Sequence, residues 1–158
     1  MLSLLKKNIV NHVDEMDSSI QLIYVYFEII DESDLPDHFS YIDELQAFSW
    51  NAYKKYSNCP KFLFCVAYIA LSFGEFFMGV DESDIKKMLR KPYYVEPNNI
   101  LYQWGHDLCT LKLSDLQLRD YALRVLDEKV CLDQISNQVL VYRYILQHLY
   151  SYTVLGTD

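Results

Sequence analysis

The chain is poor in the residues that break or staple a fold: of its 158 residues only four are glycine, four proline and four cysteine. So few breakers exclude a linker or low-complexity protein. With 51% apolar and 23% charged residues, the composition is that of one ordinary globular domain spanning 1–158. The cysteines (Cys59, Cys65, Cys109 and Cys131) form no CxxC pair and are too sparse for a disulfide framework. They read as reduced thiols, Cys65 inside an apolar run and Cys131 at the end of an amphipathic one, and a cytoplasmic location follows as the expectation. The N-terminus lacks the basic-then-apolar order of a signal peptide, and there is no N-glycosylation sequon.

Recognisable chemistry is missing as well. The sequence contains no HExxH, no GxSxG, no glycine-rich phosphate loop and no ExxH pair of the kind that di-iron bundles use. Ser83 and Lys86 match SxxK, a two-position pattern too common to define a nucleophile. His12, His106 and His148 are scattered and read as surface or polar-core residues. No catalytic residue, cofactor or metal is expected on these grounds.

The most localised absence is of positive charge. No Lys or Arg occurs between Lys7 and Lys54. Residues 1–50 hold ten acids and two bases, whereas residues 51–158 hold twelve of each, so the whole formal charge of -8 belongs to the first fifty residues. Its densest part is an acidic region over 14–44. Such a charge disfavours direct contact with nucleic acid or an anionic membrane surface and favours a basic protein partner. Lys86, Lys87, Arg90 and Lys91, beside Tyr93 and Tyr94, form a short basic stretch that reads as a local salt-bridge surface.

What is present is helical periodicity. Apolar spacing and breakers predict helical segments over 2–14, 18–31, 38–56, 61–78, 82–91, 98–109, 114–131 and 134–152, with the first two merging or the first fraying. The fold class is therefore all-α: a single-domain bundle of six to seven helices. Residues 62–78 form one nearly all-apolar helix, too short to span a bilayer and suited to the bundle centre. In 114–131, Ser114 and Gln117 make a capping box, Asp120, Arg124 and Glu128 a charge ladder, and Leu116, Leu123, Leu126 and Val130 the expected buried stripe. In the last segment, Ile135, Val139, Tyr142, Leu146 and Leu149 form the corresponding stripe.

Asp-Glu-Ser-Asp occurs twice, at 31–34 and 81–84, and both copies read as helix-capping turns. Lys86, Lys87, Arg90 and Lys91 neutralise the second, but nothing nearby in sequence neutralises the first. Segment 38–56 directs Tyr41, Leu45, Phe48, Ala52 and Tyr56 to one face, with Phe39, Asp43 and Trp50 on the other. A helix buried on both sides would place Phe39 and Trp50 in the core. An exposed Trp50 would instead be an aromatic anchor among acids that steer a basic partner. The candidate partner-binding residues are Asp31, Glu32, Asp34, Asp37, Asp43, Glu44 and Trp50.

In size, acidity and absence of catalytic motifs the chain resembles the small acidic immunity proteins of bacterial toxin systems. That resemblance implies a non-catalytic inhibitor that neutralises a basic cognate toxin, such as a nuclease, by protein-protein binding. Two other readings fit the residues. Asp34, Asp37 and His38 could serve a helical enzyme or metal-binding regulator, although their spacing departs from a calcium loop. An acidic chaperone or adaptor for a secreted protein would bind an extended segment instead of a folded domain.

Overall fold

The computed structural model describes residues 1–32, 37–74, 79–128 and 140–155, and the described residues form eight helices and no strand. These are α1 (Leu2–Val10), α2 (Glu15–Glu32), α3 (Asp37–Tyr56), α4 (Pro60–Phe73), α5 (Glu82–Val95), α6 (Ile100–Thr110), α7 (Asp115–Glu128) and α8 (Leu140–Leu155). The all-α class is as the periodicity indicates, with the count slightly higher because α1 and α2 are separate. The turn between them holds His12 at φ 55 and Asp14 at φ 43, left-handed conformations that break the helical run.

The centre is α4. Every residue from Phe62 to Ala70 is buried, and α2, α3, α5, α6 and α8 all pack on this helix. A helix apolar on every side must be covered on every side, which is why the bundle closes round it. Pro60 opens α4 without losing a backbone bond. Gly74 closes it at φ 107, a conformation that residues with a Cβ rarely adopt, and its N–H donates to Ala70 O at 2.9 Å. The segment predicted as 61–78 thus ends its described helix at Phe73; Glu75 lies outside the described residues. Among the described residues no helix is long and apolar enough to cross a membrane.

Capping chemistry fixes several boundaries. Asp81 accepts from Asp84 N–H at 2.9 Å at the start of α5, and Asn99 accepts from Leu101 and Tyr102 N–H at the start of α6. The capping box is present, with Ser114 N–H donating to Gln117 Oε1 at 2.9 Å and Gln117 N–H to Ser114 Oγ at 3.3 Å. Of the first Asp-Glu-Ser-Asp copy, Ser33 and Asp34 lie outside the described residues. Asp31 and Glu32 are the last residues of α2, at its carboxyl end.

Pro92 does not end α5, which continues through it to Val95 with the proline ring buried. In α7 the stripe inferred to be buried is only partly so: Leu116 is 60% and Leu123 43% accessible and Leu126 packs half-buried on the core, while Tyr121, Ala122 and Val125 are buried. The reason is tertiary. Tyr121 packs edge-on against fully buried Trp104 and donates its hydroxyl to Asp107 Oδ2 at 2.7 Å, which rotates α7 towards α6. In α8, Leu146 and Leu149 are buried as expected, together with Val141 and Ile145. Ile135, Val139 and Val130 lie outside the described residues.

Tyrosines tie the helices together through their polar tips while their rings fill the core. Tyr26 links α2 to α3 through Glu44, Tyr68 links α4 to α8 through His148 at 2.8 Å, and Tyr121 links α7 to α6. Cys59, Cys65 and Cys109 are free thiols, and burial pushes that of Cys65 up to about 12. Cys131 lies outside the described residues.

Candidate binding surface

The fold divides the acid-rich region into a neutralised part and an uncompensated part. Glu15 accepts from His12 at 2.7 Å and from Lys55, and these two contacts hold its carboxyl well below the ordinary range, at about 2. Lys61 Nζ lies 2.9 Å from Asp17 Oδ1. Both lysines come from beyond residue 50, so the amino end of α2 receives its counter-charge from α3 and α4. Acids at a helix amino end are also favoured by the helix dipole.

Among the described residues the carboxyl end of α2 has neither compensation. Asp31 and Glu32 are exposed, the last turn contains no base, and no ion pair among the described residues reaches either carboxylate. At this end the helix dipole opposes negative charge by about 0.3–1 kcal/mol per acid. The field of Asp31 and Glu28 reaches α8, where it adds to burial in raising the Tyr144 phenol above its ordinary value.

On α3, Asp43 and Glu44 are neighbours with different environments. The hydroxyl of buried Tyr26 donates to Glu44 Oε2 at 2.8 Å, and Lys6 Nζ stands 3.8 Å from the same oxygen. Burial and the Glu44 carboxylate both raise the Tyr26 phenol. Asp43 is exposed and has no ion pair among the described residues. Asp37 begins α3 and His38 follows it, with side chains outside the described residues; Asp34 lies wholly outside them. Among the described residues no group of three His, Cys, Asp or Glu is placed to hold a metal ion.

The face carrying Phe39, Asp43 and Trp50 points to solvent, so α3 is not buried on both sides. Phe39 is 63% and Trp50 45% accessible, while Leu45, Ser49 and Ala52 are buried and Tyr41, Phe48 and Tyr56 pack on the core. Asp43 and Trp50 are seven residues apart, about 10 Å along one helix face. Trp50 stacks on Tyr53 at a centroid distance of 6.1 Å, with Lys54 Nζ 5.0 Å from its ring. Its immediate contacts are therefore a cation and an aromatic ring, with Asp43 two turns away on the same face. Sequence reading missed that Lys87 and Lys91 of α5, part of the basic stretch, line one groove with Trp50.

No protein-family model matches the sequence, and no curated protein or solved structure shows significant similarity to it.

Proposed function

We propose that this chain is a non-catalytic binding protein whose acidic surface, built from the carboxyl end of α2 and the outer face of α3, receives a basic protein partner. Its most concrete form is an immunity or antitoxin-type inhibitor of a basic toxin such as a nuclease, whose substrate cleft must itself be positive. The supporting observation is the position of Asp31 and Glu32. Two exposed carboxylates without an ion pair among the described residues stand at a helix end whose dipole opposes them, a placement that folding does not reward. A partner's lysines and arginines would supply the missing counter-charge.

Asp31, Glu32 and Asp43 steer the encounter in this reading, with Asp34 and Asp37 as the intervening acids of the same sequence region and Glu44 held in place by Tyr26. Inhibition follows from occupancy of the partner's positive cleft or of an adjoining surface. The test is co-purification from native lysate, identification of the partner by mass spectrometry, and stopped-flow association over a range of salt. The expected partner is basic, and D31K/E32K should slow association about tenfold or more and flatten its salt dependence. An unchanged rate and salt slope would refute the acidic-surface reading.

A further inference from the structure

A groove of about 360 Å³ runs between α3 and α5, with Leu63 of α4 and Met88 of α5 among its apolar lining and Trp50 and Tyr53 along the α3 side. Asp84, Lys87 and Lys91 line it from α5, spaced by three and four residues on one face over about 10 Å. Lys87 meets Asp84 at 2.9 Å, and Lys91 donates to the neutral carbonyl of Ser57 at 3.2 Å. Lys54 lies over the Trp50 ring. Neither Lys54 nor Lys91 meets a carboxylate among the described residues, so three cations and one acid surround an aromatic-walled apolar groove.

From this juxtaposition we infer that the groove is a docking site for an acidic peptide segment that carries an aromatic or leucine side chain. Its volume lies at the lower end of the range for ligand sites, about 300–1,000 Å³, which suits one or two inserted side chains. The apolar side chain enters against Trp50 and Met88, and flanking carboxylates meet Lys91 and Lys54. Exposed tryptophan is a recurrent centre of binding energy because its large rigid surface is buried at small entropic cost. The charge around the groove selects the sign of the segment: a basic peptide would meet Lys54, Lys87 and Lys91. This surface is opposite in charge to the one that Asp31 and Glu32 form, and it stands independently of the function proposed above.

The test is selection of a displayed random-peptide library against the full-length protein, followed by titration of the enriched peptides with the two tryptophan indole N–H resonances as readout. Enrichment of acidic sequences with a central aromatic or leucine is expected, with the Trp50 resonance moving and that of buried Trp104 static. W50A and K87E/K91E should each lower affinity at least tenfold. Absence of enrichment, enrichment of basic sequences, or binding insensitive to W50A and K87E/K91E would each overturn the inference. A concentration-dependent dimer abolished by W50A would also overturn it, assigning the groove to a second copy of the chain.

Discussion

The hydroxyl of Tyr26 donates to Glu44 Oε2 at 2.8 Å, so one carboxylate of the acid-rich region is a structural tie between α2 and α3. The tie is asymmetric: Tyr26 is 2% accessible, whereas the Glu44 side chain is half exposed. Removing Glu44 leaves the buried Tyr26 hydroxyl without its acceptor, with Lys6 still donating to it, while removing the hydroxyl leaves a carboxylate that water can solvate. E44A is therefore expected to cost about 1–3 kcal/mol of stability, and Y26F less if packing is retained. Urea unfolding of the two variants checks the order, and a larger loss in Y26F would contradict it.

Asp31 and Glu32 should behave in the opposite sense. Their charge opposes the dipole at the end of α2, so D31K and E32K should each stabilise the isolated protein by about 0.3–1 kcal/mol at low salt, with the gain shrinking as salt is added. Thermal unfolding at two ionic strengths measures this. Stabilisation together with slower partner association would be the signature of charge kept for binding at some cost to folding.

Gly105 tests the packing between α6 and its neighbours. A Cβ at this position would stand 2.8 Å from Phe64 Cε2 and 3.1 Å from Leu89 Cδ1, both in fully buried side chains. Alanine gains about 1 kcal/mol of helix propensity over glycine, but overpacking a dense core costs about 1–3 kcal/mol. The ring edge of Phe64 has little room to yield, so G105A should be net destabilising. A denaturation midpoint at or above that of the parent would show that the α4–α6 contact accommodates a methyl group.

Acid sensitivity should centre in part on His148. Burial holds its imidazole below the ordinary value of 6.5 while its Nδ1 lies 2.8 Å from the Tyr68 hydroxyl. The unfolded chain then takes up a proton more readily than the folded one. The associated stability is complete above about pH 6.5 and declines as the pH falls towards the depressed folded value. Between pH 7.5 and 5.5 the parent should lose more stability than H148Q, a comparison made by urea unfolding at each pH.

Much of the architecture is legible in local patterning. The helical period of residues 41–56, the capping box at Ser114 and Gln117, and the uncharged, largely apolar run at 62–74 each specify an element without reference to the rest of the chain. Patterning fails where two faces of a helix are both moderately apolar. In α7, Leu116 and Leu123 compete with Tyr121 and Val125, with Leu118 and Leu126 half-buried between them, and only the contacts of Tyr121 with Trp104 and Asp107 decide which pair is buried. Pro92 illustrates the same point, since its burial against the bundle accompanies a helix that its sequence alone would stop.

The candidate surface shows the division most clearly. Sequence by itself determined the all-α class and the concentration of net charge in residues 1–50, because both follow from composition and spacing along the chain. Only the tertiary structure decided which acids are uncompensated. Lys55 and Lys61 neutralise Glu15 and Asp17 across 40 and 44 residues of sequence, whereas Asp31, Glu32 and Asp43 meet no base among the described residues. It also placed Trp50 beside a lysine-bearing face of α5. Charge pairing depends on distance in space, and separation along the chain carries little information about it once helices pack.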